Sequence, residues 1–473
     1  MTDRAYDLVI VGAGAAALSA AVSFIETTSA RGERATVALL ERAPREMRGG
    51  STRWTSAGLR LTPELELDPL WVGTVQEVSK GLADLAYTQR LEREVPTTVR
   101  FLQDHGVELH VFPANVAGLM RSAAVPIGGG HAIVEALAKV VEDHDGAEIL
   151  YETEAVRLSL SGEGRVDGVV ARGPDGLLRT LRAPAVVLAC GGFEGNAEML
   201  TQYCGANAVD LRRLAPGTQY NKGDGIRMAV EIGADTAGQF DGMHAELVDV
   251  RTDRPDPVLY GHPWTIVVNR DARRFYDEGA TGMAESFELI AYEVWRNQDQ
   301  TAYMITDEAV MSREDLTQYY DTDIPPVKAD TIAELANLLG LEPAELVATV
   351  DEFNAACGDA EYDPSVFDGK ATVGIDPPKS NWANPIAQPP FYGWPVAAAI
   401  CFTYGGLRTD TDARVLSKNG APIPGLYAAG ELVGLFYHEY PSATSVLKAL
   451  TFGRIAGVHV AEIAASALEP AGS

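Results

Sequence analysis

The sequence predicts an α/β protein organised around a dinucleotide-binding domain. Near the N-terminus, an apolar strand runs directly into a glycine-rich turn and a helix, and a second strand that ends in a glycine turn follows near the middle of the chain. Glycine accounts for 46 of the 473 residues, or about a tenth of the chain, whereas the average share of glycine is about 7%. These glycines occur in short groups without a regular period, as expected where backbone approaches a bound ligand.

The first glycine turn carries the fingerprint of a dinucleotide site. Residues 6–11 form an apolar run typical of a buried parallel strand, and Gly12, Gly14 and Ala17 follow it with the spacing G-x-G-x-x-(G/A). Gly12 permits the tight turn, Gly14 lets the backbone approach a pyrophosphate, and Ala17 allows close packing of helix on strand. The pyrophosphate would then lie at the helix N-terminus, where free N–H groups and the helix dipole favour negative charge.

A second strand and an acid complete the unit. Residues 35–40 read as the strand, and Glu41 follows it in the position from which a carboxylate bonds the adenosine ribose. The order of strand, glycines, helix, strand and acid predicts a bound dinucleotide; the alternative is a glycine-rich turn without a ligand. The small-residue loop at 48–58 lies where the chain runs beneath the isoalloxazine in glutathione-reductase-like folds, which favours FAD over NAD.

Six further motifs lie in family order along nearly the whole chain. They resemble the FAD-dependent succinate dehydrogenase/fumarate reductase flavoprotein superfamily, and within it the tricarballylate-dehydrogenase-like and 3-ketosteroid-dehydrogenase-like branches. The motifs are the glycine turn at 190–196, the helix start at 220–229, the "R-F-Y-D-E-G" segment within 268–279, the "G-G-L-R-T-D" segment within 403–410, and the two segments at 425–431 and 452–457.

The resemblance implies a glutathione-reductase-like, Rossmann-type FAD-binding domain formed by residues 1–240 and 386–473, with an α+β cap, the substrate domain, inserted at 241–385. It implies that Asp224 caps a helix. FAD is expected to be noncovalent because no histidine stands near the loop at 48–51. The residues expected to hold FAD are Gly12, Gly14, Ala15, Ala16, Glu41, Arg42, Gly49, Gly50, Ser51, Thr52, Ala155, Val156, Cys190, Gly191, Gly192, Asn221, Gly223, Asp224, Gly430, Glu431, Ser445, Val446 and Leu447.

The expected reaction is desaturation of a C–C bond beside a carbonyl, with hydride passing to the flavin. In the ketosteroid dehydrogenases a tyrosine donates to the substrate ketone, and the resemblance carries that role to Tyr440, with Ser442 beside it. His438 would share a side with Tyr440 in an extended loop and could shuttle a proton. The resemblance places Tyr404 where the family's reductases have substrate-contacting residues, and Arg121 is a candidate anchor for a carboxylate or enolate.

Departures from the family pattern decide between activities. Residues 278–285 contain no arginine to donate the proton used in fumarate reduction, and Cys401 stands where those reductases have a histidine. Residues 441–444 replace a glycine-rich stretch, which puts the backbone oxyanion contact in doubt. The predicted substrate is a small cyclic ketone, a steroid-like ketone or a carboxylate. An enoate or fumarate-type reductase, and a flavin-binding protein without turnover, stay open as alternatives.

The amino-acid composition disfavours several classes of binding partner. The 38 basic and 66 acidic residues give a net charge of −28, which disfavours binding to nucleic acid or anionic membranes. The four cysteines form no C-x-x-C pair, so no metal site and a reducing compartment are expected. No targeting segment or apolar span is recognised, which predicts a cytoplasmic protein. The resemblance implies that the partner is a small-molecule substrate. The electron acceptor and the formation of a homo-oligomer stay open.

Overall fold

The computed structural model describes residues 4–112 and 122–468. Its strands, in chain order, are β1 Arg4–Ala5, β2 Leu8–Val11, β3 Val37–Leu40, β4 Leu109–Phe112, β5 Ala123–Pro126, β6 Ala147–Leu150, β7 Glu154–Leu160, β8 Val166–Arg172, β9 Leu178–Arg182, β10 Val186–Leu188, β11 Arg212–Arg213, β12 Thr236–Ala237, β13 Met243–Asp249, β14 Ile266–Asn269, β15 Ala302–Asp307, β16 Val327–Ala329, β17 Phe391–Thr403, β18 Gly406–Leu407, β19 Arg414–Leu416 and β20 Pro422–Ala428.

The α-helices are α1 Ala15–Ser29, α2 Trp71–Val78, α3 Leu85–Asp104, α4 Gly129–Asp143, α5 Ala197–Cys204, α6 Asp224–Glu231, α7 Met283–Asn297, α8 Glu308–Met311, α9 Glu314–Thr317, α10 Ile332–Leu339, α11 Pro343–Ala356 and α12 Ser445–Leu468. Among the described residues, no helix combines the length and apolar character needed to cross a bilayer.

Strands from the two ends of the chain form one sheet. Its order is β19-β20-β10-β2-β3-β6, and the pairs from β20 to β6 are parallel. The strands expected at residues 6–11 and 35–40 are observed as β2 and β3, both completely buried. Because parallel strands end at the same edge of the sheet, the segments that follow β2, β3, β10 and β20 all open on one crevice.

Small residues bring α1 and α12 into close contact. A Cβ atom added to Gly453 would lie 2.2 Å from the Ala16 carbonyl oxygen, and one added to Gly457 would lie 2.2 Å from the Ala20 carbonyl oxygen. Any side chain at these two positions of α12 would therefore separate the helices. The packing holds the C-terminal helix against the first helix of the chain, so residues far apart in sequence frame the same crevice.

A second sheet is built on the long strand β17. Strands β11, β13, β15 and β16 all pair with β17, and β14 pairs with β15. The pairing of β13 with β17 changes register between His244 and Ala245, which pair with Phe402 and Ile400, so Cys401 has no partner residue. Bulges of this kind redirect side chains and are frequent beside active sites.

The helix that follows the second glycine turn begins differently from the prediction. Gly223, in left-handed conformation with φ of 74°, is the N-cap of α6, and no side chain caps this helix. Asp224 is its first residue, and its carboxylate instead forms ion pairs with Arg42 at 2.7 Å and Arg227 at 3.0 Å. The predicted capping role of Asp224 was therefore wrong, because two guanidinium groups compete for the carboxylate.

Candidate functional site

A cavity of about 780 Å³ lies between the two sheets. One end, which we call the glycine end, is lined by the turns that follow β2, β3 and β10. The other, the acidic end, is lined by His244 and Glu246 of β13, by Tyr404 after β17, and by Tyr440 before α12. Most residues expected to hold FAD line the cavity; those outside the lining are Val156, Gly192, Gly223 and Leu447.

The glycine end fits a pyrophosphate group. Helix α1 begins after Gly14 with no side-chain cap and no acid in its first turn, so its first N–H groups lack an intrahelical acceptor at the cavity wall. Gly50 has φ of 54°, and a Cβ atom there would meet nothing within 4 Å. Gly49, with φ of 103°, has no such space, because a Cβ would lie 2.8 Å from Cβ of Arg53. Backbone donors and open space at the wall suit an anionic dinucleotide.

Glu41 fits the ribose of such a ligand. It follows β3, is 8% exposed, and accepts a hydrogen bond of 2.8 Å from the Ala43 N–H. Burial raises the pKa of Glu41 to about 7, although backbone N–H groups oppose this rise. Ribose hydroxyls would add further donors that stabilise the carboxylate. Arg42 lies beside it and ties this turn to α6 through Asp224.

Two further carboxyl groups lie at the glycine end: Glu431, which the sequence analysis named, lines the cavity, and Glu194, which it missed, is buried. The Glu431 Oε1 atom accepts from the Thr403 N–H at 2.9 Å, and Glu194 Oε1 accepts from Asn221 Nδ2 at 2.7 Å. Burial and the neighbouring Glu431 raise the pKa of Glu194. A Cβ on Gly192 would lie 2.1 Å from Glu431 Oε1, so Gly192 makes room for this carboxyl and does not itself line the cavity.

Tyr440, which the resemblance named as a donor to the substrate ketone, lines the acidic end of the cavity. Its hydroxyl oxygen accepts hydrogen bonds of 2.7 Å from the N–H groups of Thr444 and Ser445, at the start of α12. Burial raises the pKa of Tyr440, and these donors oppose that rise. Because the oxygen is the acceptor in both bonds, its own proton can be donated to a group in the cavity. The two N–H donors polarise the phenol and strengthen that donation.

His244 stands between two buried glutamates. Its Nδ1 atom lies 2.6 Å from Glu288 Oε2 and its Nε2 atom 3.1 Å from Glu246 Oε1. Burial disfavours the charged imidazole, but hydrogen bonds and charge from the two glutamates outweigh it and raise the pKa of His244 to about 9. The ring centroids of His244 and Tyr440 are 4.7 Å apart. The imidazole is therefore a cation at neutral pH, close to the candidate phenol.

Two further phenols join the same network. Tyr404 donates to Glu288 Oε1 at 2.7 Å, and Tyr260 donates to Glu246 Oε1 at 3.1 Å. Sequence reasoning missed His244, Glu246 and Glu288. The only available signal was the alternation His244-x-Glu246, which places both side chains on one face of a strand.

The network also brings three types of metal-ligating atom together. Ligand atoms of His244, Glu246 and Cys401 lie within 4.8 Å of one another. Both imidazole nitrogens already face carboxylate oxygens, so hydrogen bonds account for this arrangement. The absence of a metal stays a prediction, as does noncovalent attachment of FAD.

The remaining predicted catalytic residues differ in their position relative to the cavity. Ser442 lines the cavity. His438 is exposed and does not line it, with φ of 64°. The loop is therefore not extended at His438, and the expectation that it faces the same side as Tyr440 was wrong. Arg121 lies outside the described residues.

Comparisons with known proteins identify the family of this chain. The family described as "FAD binding domain" matches residues 7–446. The chain is 31% identical to 4-oxocyclohexanecarboxylate 2-dehydrogenase of Sinomonas cyclohexanicum, over 81% of this chain and 69% of that protein. It is 28% identical to 3-oxosteroid 1-dehydrogenase of Mycobacterium tuberculosis, over 80% and 74% respectively. The open conformation of a flavocytochrome c3 fumarate reductase superposes with a TM-score of 0.79 and 25% identity, over 97% of this chain and 78% of that chain. The chain therefore belongs to the FAD-binding family of the succinate dehydrogenase/fumarate reductase flavoprotein superfamily.

Proposed function

We propose that this FAD-dependent CH–CH oxidoreductase desaturates a cyclic ketone next to its carbonyl. In this proposal residues 241–385 form the cap over the substrate, inserted between the two parts of the FAD domain at 1–240 and 386–473. The observation that carries the proposal is the polarised Tyr440 phenol at the acidic end of the cavity. It is supported by the names of two relatives, which act on an oxocyclohexane and on 3-oxosteroids.

Tyr440 would bind the ketone oxygen. Removal of a proton from the carbon next to the carbonyl places negative charge on that oxygen, and a donor already aimed there contributes about 10²–10³ in rate. The N–H groups of Thr444 and Ser445 fix the phenol oxygen. They hold the donor in place before the charge develops, so little reorganisation is needed during the reaction.

Tyr404 and Glu288 would take the proton. The Tyr404 hydroxyl donates to Glu288 Oε1 at 2.7 Å, so the phenol can pass its proton to the carboxylate while it receives the substrate proton. Burial and nearby Glu288 raise the pKa of Tyr404, which keeps the phenol protonated until the substrate is bound. His244 bonds to the other oxygen of Glu288 and keeps its charge balanced.

Bound FAD supplies the hydride acceptor for the carbon one position further from the carbonyl. The chain contributes an environment that excludes water from this step. The rings of Phe402 and Phe436 lie 5.0 and 5.1 Å from the Tyr440 ring, edge-on to it. Apolar walls around the phenol strengthen its hydrogen bond to the ketone.

Anaerobic mixing tests the proposal. The oxidised holoenzyme is mixed with a saturated 3-oxosteroid or a cyclohexanone, and absorbance of the flavin near its visible maximum is followed. Bleaching of that band by a saturated ketone supports desaturation. Absence of bleaching with both ketone classes, at concentrations that perturb the flavin spectrum, refutes it.

A second candidate is reduction of an enone by the same site. The observation in its favour is the position of His244, whose two ring nitrogens face Glu288 and Glu246 and whose ring lies 4.7 Å from that of Tyr440. Against the effect of burial, the two glutamates raise the pKa of His244, which favours a proton at the acidic end. Chemically reduced holoenzyme mixed with the corresponding enone separates the two directions. Reoxidation by the enone that is faster than bleaching by the saturated ketone favours the reductase.

A further inference from the structure

The acidic end carries one buried carboxylate oxygen that the described residues leave without a donor. Glu246 is 7% exposed, and its Oε2 atom has no hydrogen-bond partner among the described residues. Asp256 lines the same cavity, and its Oδ2 atom accepts from the Ser56 N–H at 3.3 Å. Burial and the nearby charge of Glu246 raise the pKa of Asp256 to about 7. A buried carboxylate oxygen without a donor carries an uncompensated desolvation penalty, so a ligand that donates a hydrogen bond here is favoured.

The basic groups around this end are already engaged. The Arg60 Nε atom bonds Asp68 at 2.8 Å, and Lys448 Nζ donates to the Val433 carbonyl oxygen at 2.7 Å. Burial lowers the pKa of Lys448 to about 7, and both nitrogens of His244 face glutamates. A ligand carboxylate would therefore meet two acids here and no cation among the described residues that is not already paired.

We propose that Glu246 and Asp256 form a subsite for a hydrogen-bond donor on the substrate, an ammonium or a hydroxyl group. The substrate is then a ketone whose far end donates hydrogen bonds, and it is not an oxo-carboxylate. This inference rests on the proposed function for the ketone end, where Tyr440 holds the oxygen. His244 connects the ketone-binding position to this subsite, because its ring lies against Tyr440 and its Nε2 atom faces Glu246.

Ligand titration of the chemically reduced holoenzyme, which cannot accept hydride from a saturated ketone, tests the subsite without turnover. Four cyclohexanones that differ only at carbon 4 serve as probes: amino, hydroxy, methyl and carboxylate. Their Kd values come from perturbation of the flavin absorption spectrum. The amino or hydroxy ketone is expected to bind at least tenfold more tightly than the carboxylate. A further preference of amino over hydroxy identifies the group as an ammonium.

Substitutions in the subsite then test which residues cause the preference among the four probes. Glu246→Gln keeps the shape of the side chain and is expected to reduce the amino-to-carboxylate preference at least fivefold, with Asp256→Asn giving a smaller reduction. Asp271→Asn is the matched control, because Asp271 is an exposed aspartate that does not line the cavity. FAD content and the flavin spectrum confirm that each variant is folded.

The outcomes separate this inference from the proposed function. Equal Kd values, a preference for the carboxylate, no binding by any probe, or an unchanged preference in Glu246→Gln each overturns the subsite. A donor preference without flavin bleaching refutes desaturation but leaves the subsite intact. Bleaching of the oxidised flavin by all four probes, with equal Kd values, supports desaturation and refutes the subsite.

Discussion

The two ends of the cavity are built in different ways. The glycine end consists of backbone: Gly12 and Gly14 form the turn after β2, and Gly50 leaves open space at the wall. The acidic end consists of side chains, with His244 enclosed by Glu246 and Glu288. A backbone site depends on where the chain can turn, whereas a side-chain site depends on which strands and helices meet. The two ends should therefore fail differently when mutated.

The largest effect is expected at the glycine end. Gly12 has φ of 112°, and a Cβ atom there would lie 2.3 Å from the Ala189 carbonyl oxygen. Gly12→Ala should therefore destabilise the protein by about 2–4 kcal/mol and abolish retention of FAD, because the turn and the neighbouring strand must separate. FAD content after purification and urea unfolding measure both effects.

The matched control for Gly12→Ala is Gly32→Ala. Gly32 also has a positive φ, of 75°, but a Cβ there would meet nothing within 4 Å. Its cost should be limited to backbone strain, about 1 kcal/mol, with FAD retained. Equal losses in the two variants would show that steric contact at the strand plays no part.

At the acidic end, Tyr440→Phe is expected to change chemistry without loss of the cofactor. Loss of the phenol proton should lower kcat with a saturated ketone about 10²-fold, while the flavin spectrum stays unchanged. Tyr437→Phe is the control, because Tyr437 accepts from the Gly238 N–H at 2.9 Å and does not line the cavity. Unchanged kcat in Tyr440→Phe would remove this residue from the mechanism.

The smallest of these effects is the pH dependence that His244 gives to stability. Its pKa in the folded protein is about 9, above the ordinary value of 6.5, so the imidazolium contributes stability fully below pH 6.5 and loses it as pH rises through about 9. His244→Gln removes this contribution. Wild type should exceed the variant in unfolding free energy by on the order of 2 kcal/mol at pH 6.

The measurement is urea unfolding of both proteins at pH 6 and pH 9.5, with FAD present in excess. The difference between them should shrink markedly at the higher pH, since the cation is then lost from wild type as well. A difference that is the same at both pH values would mean that His244 acts by packing alone.

Local sequence predicted the glycine end well because each of its features is a short-range constraint. The strands expected at 6–11 and 35–40 are observed. Asp224 shows the limit of such reasoning, because its role depended on Arg42, which lies far away in sequence.

The acidic end could not be predicted in the same way. His244 and Glu246 lie on β13, Glu288 lies on α7, and Tyr440 precedes α12. Each alone reads as an ordinary polar residue or a core tyrosine. Resemblance to a family indicated Tyr440, but no motif indicated the carboxylates around it.

What the sequence by itself determined is the dinucleotide turn, the acid after β3 and the family to which they belong, since strand, turn and helix propensities act over a few residues. What only the tertiary structure decided is the charge at the other end of the cavity. The bulge at Cys401 and the packing of α7 against β13 bring a histidine and two glutamates together, and their pKa values and hydrogen bonds exist only once those segments are in contact.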